Sequence, residues 1–289
     1  TCYGDSPYQS YSAFAGNPYF ISLEDLIEQG LLTEKECDKV DFGSKTDKVD
    51  YEKLYNGRFE LLKTAYEKSD ISEREEFKRF KAENAYWLKD YAMFMAIKER
   101  FNGQSFDHWA EDIKLRWEYS MEYYESELAD EITFYEFIQY EFYRQWYKLK
   151  KYANDNGIKI IGDIPIYVAY DSADVWAHPE LFQIDDERNP IAVAGCPPDG
   201  FSATGQLWGN PLYKWDYHKY TNYDWWIKRI ERSVKLYDVV RIDHFRGFDE
   251  YYSIPAKDKD ATGGHWEKGP GIDLFNGIKY CLGDINIIA

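Results

Sequence analysis

The stretch Tyr237-Asp238-Val239-Val240-Arg241-Ile242-Asp243-His244-Phe245 decides how this chain is read. A short apolar run of strand length ends by presenting Arg241, Asp243 and His244 in close succession. Parallel α/β barrels carry their catalytic side chains at this C-terminal rim of the strands. An Arg two residues before an Asp favours the ionised carboxylate. A positioned, ionised carboxylate is what a sugar-cleaving enzyme uses as nucleophile. A structural Arg–Asp pair closing a strand is the alternative, and these residues alone leave both readings open.

Working outward, Ile158-Lys159-Ile160-Ile161-Gly162-Asp163-Ile164 is a second β-rich run, and it carries Asp163. Between the two runs, Tyr223 to Leu236 reads as an amphipathic helix with Trp226, Ile230 and Val234 on one side. A short helix near Ile272 to Tyr280 precedes Asp284-Ile285-Asn286-Ile287-Ile288-Ala289, which begins like a third strand. This alternation predicts a parallel sheet. Strands of one barrel would aim Asp163 and Asp243 into the same mouth, whereas helix N-capping is the other reading of each.

The stretches from Pro165 to about Asn222, and from Asp243 to about Gly271, read as loops. Residues 195–211, GCPPDGFSATGQLWGNP, are stiffened at Pro197-Pro198 and hinged at glycines. Phe201 and Trp208 are offered for stacking, and Asp199, Ser202, Gln206 and Asn210 for hydroxyl groups. This composition suits a sugar-gripping lid, with a plain Ω-loop as the alternative.

Residues 1–22 read as a turn-rich aromatic loop and residues 23–156 as helical. Ser22 with Asp25, and Ser72 with Glu75, resemble capping boxes. Apolar stripes run from Glu73 to Arg100, through Phe77, Phe80, Tyr86 and Trp87, and from Ile132 to Ala153, through Phe134, Phe137, Tyr147 and Leu149. Asn154-Asp155-Asn156-Gly157 is a stop signal. Gly43 to Tyr51 reads as a charged surface loop.

The 289 residues carry a net charge of −17, which disfavours nucleic acid and anionic lipid and suits a neutral substrate. No apolar run approaches a membrane span, and no signal peptide is seen. Cys2, Cys37, Cys196 and Cys281 are too widely spaced for a zinc site or disulfide framework. Reduced, mostly buried thiols and a cytoplasmic setting are expected. The five His have no ligand-like spacing, so no metal is expected. Aromatic residues reach 19 %, with 27 Tyr and 10 Trp. Some of these rings could serve as platforms for sugar faces, but most are expected to be helix core.

Asp5-Ser6-Pro7-Tyr8-Gln9-Ser10, Ser12 to Tyr19, Gly162 to Val168, Ser172 to Trp176, the 195–211 segment and Arg241 to Gly247 together resemble the amylomaltase family. These are bacterial 4-α-glucanotransferases of the α-amylase clan. The resemblance implies a (β/α)8 TIM barrel, partial in this chain, with a large helical insertion. It places residues 1–22 after the second barrel strand, 23–156 in the insertion, and strands three to five with the lid in 157–289. It implies retaining transfer of α-1,4-glucan segments between maltooligosaccharides, with no cofactor. Asp243 would be the nucleophile and Arg241 its holder, while Asp163 and His244 would bind sugar hydroxyls. Ser6 and Tyr8 would line the donor site, and Asp199, Phe201 and Trp208 would form the lid. The family's acid/base Glu lies in an A-E-D-L-G segment that would follow Ala289, so the chain is expected to be truncated and inactive alone. The remainder of its barrel is then a possible partner, and a glucan-binding fragment or degenerate homologue is the alternative.

Overall fold

The computed structural model describes residues 6–43 and 47–289; Cys2, the start of the 1–22 loop and part of the 43–51 stretch lie outside the described residues. The described strands are β1 (Ile161–Pro165), β2 (Ala192–Cys196), β3 (Gln206–Pro211), β4 (Val239–Asp243), β5 (Glu250–Pro255), β6 (His265–Lys268) and β7 (Ile287–Ile288). They form a parallel sheet ordered β1-β4-β7 and an antiparallel sheet ordered β3-β2-β5-β6. Contacts divide the chain into two units. One holds both sheets, with residues up to Phe14, Phe101–Met121 and Tyr152–Ala289; the other holds Ala15–Arg100 and Glu122–Lys151.

The parallel sheet follows the expected strand–helix–strand order. The helix Asp224–Leu236 crosses from β1 to β4, and the helix Ile272–Leu282 from β4 to β7. Trp226, Ile230, Val240 and Ile242 are buried. The register is set at the strand entrances. Asp238 Oδ2 accepts from the Ile160 amide at 2.7 Å and from Asn154 Nδ2 at 2.9 Å, while the Asp238 amide donates to Ile160 O. Asp163 therefore stands opposite Arg241, and Pro165 opposite Asp243. Gly162 is required at its position, because a Cβ there would lie 2.0 Å from the Tyr237 ring.

The antiparallel sheet corrects the sequence reading. Segments taken as loop contain β2, β3, β5 and β6, and residues 195–211 belong largely to a β2–β3 hairpin, with 197–205 between its strands. Gly209 and Pro211 inside β3 are turn-type residues that masked it, and its pairing partners supply the stability that local pattern does not show. A Gly195 Cβ would fall 2.1 Å from Gln206 O, so this glycine permits close strand approach rather than a hinge.

An aromatic core of Phe182, Tyr213, Trp225, Trp226 and Phe248 fills the unit that holds both sheets. Arg229 is buried against it, 4.9 Å from the Trp226 ring centroid. Its guanidinium donates to Pro165 O (2.5 Å) and Ile166 O (2.9 Å), tying the helix to the exit of β1.

The other unit is helical, with helices Leu23–Glu28, Glu34–Cys37, Tyr51–Lys68, Glu75–Arg100 and most of Ala129–Asp155, while residues 101–121 of the helical 23–156 stretch fall in the unit with the sheets. Ser22 Oγ caps Asp25 N at 3.1 Å, but the Asp25 carboxylate faces Arg144 and Lys148 instead of closing a box. Ser72 caps nothing: it lies inside the 3-10 turn Ile71–Glu73. A full capping box sits at Thr33 and Glu36, where the sequence reading had none. Phe77, Trp87, Phe134 and Phe137 are buried, but Tyr86 is exposed on the other face of its helix, and Tyr147 and Leu149 are exposed beyond Tyr143, the last buried residue of theirs. Tyr51 opens a helix rather than closing a loop. Cys37 and Cys196 are half-buried and Cys281 is exposed, so the thiols are more accessible than expected; all three are free. No described helix is long and apolar enough to cross a membrane.

Gly162→Ala forces the Tyr237 ring out of its place beneath β1, and the denaturation midpoint should report a loss of about 1–3 kcal/mol. His218 is fully buried, with Nε2 3.1 Å from Leu181 O, and burial pushes its pKa down from 6.5 to about 4. Between these values the unfolded chain binds a proton that the folded one refuses. Stability is therefore retained above pH 6.5 and falls as pH drops toward 4, by on the order of 3 kcal/mol from this group. Stability curves of His218→Gln should be flatter over that range than those of the parent; parallel curves would refute the assignment.

Candidate active site

Parallel pairing and the two-residue period put Asp163, Arg241 and Asp243 on one face of the β1–β4 pair. Arg241 joins them: Nη1 donates to Asp163 Oδ1 at 2.6 Å and Nη2 to Asp243 Oδ1 at 2.7 Å. Asp163 Oδ2 in turn accepts from the Tyr8 hydroxyl at 2.7 Å. The result is a continuous chain, Tyr8–Asp163–Arg241–Asp243. Asp243 Oδ2 carries no hydrogen bond among the described residues. The side chains of Asp163, Arg241 and Asp243 are each about 40 % exposed, so solvent screens both ion pairs and they add little stability. The cluster orients groups more than it stabilises the fold.

The electrostatics agree with this geometry. The hydrogen bonds to Asp163 and Asp243 raise the Arg241 pKa further and keep the guanidinium charged. The Tyr8 pKa is raised first by its bond to Asp163 and then by burial, so its proton stays in place.

Neither aspartate caps a helix. Ser172 caps the helix Ala173–Ala177 that follows β1, and the 3-10 turn Phe245–Phe248 after β4 has no side-chain cap. The capping alternative is thereby removed. His244 takes the left-handed conformation (φ 56°, ψ 40°), a strain on the order of 1 kcal/mol that turns its ring aside at the strand end. Burial lowers its pKa, against the opposing pull of Asp243. Its ring meets Trp208 edge-on at 4.9 Å, and Nε2 has no hydrogen-bond partner among the described residues.

The remaining sequence-predicted residues are placed differently. Ser6 organises a turn, accepting the Tyr8 amide on its side chain and the Gln9 amide on its carbonyl. Phe201 is fully exposed between the hairpin strands. Asp199 Oδ1 accepts from the amides of Phe201 and Ser202, so its carboxylate shapes its own turn. No hydrogen bond joins Asp199 or Phe201 to the Arg241 chain among the described residues. Ser202 and Gln206 also bond within the hairpin, and Asn210 is buried.

Sequence reasoning assigned no role to Tyr167, Asp174 or Arg229. Buried Tyr167 lies 6.3 Å from both the Trp208 and His244 rings and stacks on Tyr213. A signal for Arg229 was a cation three and four residues from Trp226 and Trp225, within reach of both rings on a helix. No three His, Cys, Asp or Glu side chains converge on a metal-sized site among the described residues. Chemically, the arrangement offers a carboxylate with one oxygen pinned by a guanidinium and the other free, beside an imidazole and an aromatic wall.

Comparison with known proteins gives a consistent result. A family model described as 4-alpha-glucanotransferase matches residues 1–289. A 4-alpha-glucanotransferase of Clostridium butyricum is 50 % identical over 290 residues, covering 100 % of this chain and 60 % of the relative. One from Thermus thermophilus is 47 % identical over 293 residues, covering 100 % of this chain and 58 % of the relative. Among solved structures, an amylomaltase from Streptococcus agalactiae in complex with acarbose superposes with a TM-score of 0.95 at 45 % identity, covering 100 % of this chain and 59 % of that one. The chain thus spans about three fifths of the length of these relatives.

Proposed function

This chain belongs to the 4-alpha-glucanotransferase family, and from that premise we propose that the protein transfers α-1,4-glucan segments between maltooligosaccharides by retaining double displacement. The observation that carries the reading is Asp243 at the end of β4, with Oδ1 held by Arg241 and Oδ2 free. The likeness to an amylomaltase solved with acarbose supports the substrate class. In this reading β1, β4 and β7 are strands of a (β/α)8 barrel, residues 23–156 its helical insertion and residues 1–22 a substrate loop. The protein works in the cytoplasm, without a cofactor, on neutral glucans rather than nucleic acid or membranes.

In the first step Asp243 Oδ2 attacks the anomeric carbon. The glycosidic C–O bond breaks, and an acid/base carboxyl protonates the departing oxygen. In the second step that same group deprotonates the 4-hydroxyl of an acceptor glucan, which displaces Asp243 and restores the original anomeric configuration. The two carboxyl groups of such a pair stand about 5–5.5 Å apart. The resemblance assigns the acid/base to a Glu in an A-E-D-L-G segment, which does not occur in residues 1–289. Arg241 keeps Oδ2 aimed, and Asp163, Tyr8 and His244 hold hydroxyls of the sugar at the cleavage point. Ser6 supports the donor side. Transfer prevails over hydrolysis only if water is kept from the glycosyl-enzyme, and the hairpin carrying Asp199, Phe201 and Trp208 closes over it.

The test uses the protein expressed from its complete gene, incubated with maltotriose. Glucose and a ladder of longer maltooligosaccharides are expected, and Asp243→Asn should lower turnover by about 10³-fold or more. Parent-level activity in Asp243→Asn would overturn the nucleophile assignment, and maltotriose bound but unchanged by the parent would favour the glucan-binding alternative. Trp208→Ala should raise the ratio of hydrolysis to transfer several-fold, and an unchanged product ratio would remove the lid role.

A further inference from the structure

Tyr8 reaches Asp163 from a loop that has no regular secondary structure of its own between Ser6 and Phe14. Something must hold that loop, because a phenol on a free loop would sample many positions. Ties within the unit that holds both sheets include the Phe14 ring edge-on to Trp225 at 5.8 Å and a set of hydrogen bonds. Asp174, 4 % exposed, accepts the Ala13 amide on Oδ2 at 2.7 Å. The adjacent Ala173 amide donates to Tyr11 O at 2.8 Å. Closest to Tyr8 in sequence, Gln9 Nε2 donates to Asn210 Oδ1 at 3.3 Å.

Asn210 has a second engagement. Its Nδ2 donates to Val168 O at 2.8 Å, and the residue is 6 % exposed. One buried carboxamide on β3 therefore joins the lid hairpin, the segment leaving β1 and the loop bearing Tyr8. A carboxamide suits the place, since it must donate to a carbonyl with one end and accept from an amide with the other. A buried group of this kind that loses a partner is costly, so the junction has one favoured arrangement.

We propose that Asn210 is a positioning residue that acts through Gln9 and the Ser6–Phe14 loop to hold the Tyr8 hydroxyl on Asp163. It touches no reacting atom. The β2–β3 hairpin and the Tyr8 loop thereby share one anchor, because the same side chain stands on one and bonds to the other. The inference rests on the transferase reading above for its assay, but its logic concerns only these side chains.

The test is a double-mutant cycle on the full-length protein, read as kcat/KM for maltotriose disproportionation together with melting temperature. Asn210→Asp keeps the size and the acceptor but loses the donor to Val168 O. Alone, it should lower kcat/KM by about 10–100-fold, as does Tyr8→Phe. In the Tyr8→Phe background it should cost no more than about threefold further, since the group it positions is gone. Gln9→Ala removes only the loop side of the junction and leaves the Asn210 bond to Val168 O in place; it should show the same non-additivity with Tyr8→Phe, with a smaller drop in melting temperature than Asn210→Asp, so the cycle can still be read if Asn210→Asp does not fold. Additive losses overturn the proposal, as does a Tyr8→Phe variant with parent kcat/KM. Failure of the transferase reading is distinguishable, because it would appear as a parent protein that makes no products from maltotriose.

Discussion

The register between β1 and β4 is the constraint on which the rest depends. Asp238 clamps the backbone at Ile160 where both strands begin. Three residues further along each strand, Asp163 and Arg241 stand opposite one another. A slip of one residue would turn the charged side chains to the buried face and the apolar ones outward. The sheet's covered face, with Gly162, Val240 and Ile242, cannot accept a guanidinium and two carboxylates. Hydrophobic burial on one face therefore determines where the charges stand on the other.

Arg241 and Arg229 show how differently the fold uses two arginines. Arg229 is buried and spends its donors on backbone carbonyls, so it acts as a strut between helix and strand exit. Arg241 is about 40 % exposed and spends its donors on two carboxylates, so solvent screens the pairs and little stability results. Its effect is on direction: it fixes one oxygen of Asp243 and leaves the other without a hydrogen bond among the described residues. The His244 backbone adds to this, since a left-handed residue directly after the strand turns the chain sharply and sets the imidazole against Trp208.

Much of this was legible from residues alone. The apolar runs ending in Asp163 and Asp243, with an amphipathic helix between them, announced parallel strands, and the Arg-x-Asp-His spacing announced an oriented carboxylate. Helical periodicity located the long helices, although it overran at Tyr147 and Leu149, because period reports a face and not the extent of what covers it, and it put Tyr86 in a stripe whose buried face is that of Asn84, Trp87 and Leu88. The antiparallel sheet was not legible. Its strands carry Gly209, Pro211 and Pro255, and they persist only because each is paired by a distant segment. Asp199, Ser202 and Gln206 have the chemistry of hydroxyl ligands and also bond within the hairpin, while Asn210 bonds to Val168 O and Gln9 outside it, pairings that chain order does not announce.

The sequence by itself determined the alternation of parallel strands and helices, the identity of the charged residues at the strand ends and the family resemblance, because these are properties of neighbours along the chain. The folded chain adds that Tyr8, Asp163, Arg241 and Asp243 form one hydrogen-bonded chain, that residues 195–211 lie largely in a hairpin, and that Asn210 bonds to both Val168 O and Gln9. Those outcomes depend on groups up to 201 residues apart in sequence competing for the same donors and acceptors. Hydrogen bonds in a folded chain go to whichever partner packing brings within about 3 Å, and sequence distance carries no weight in that competition.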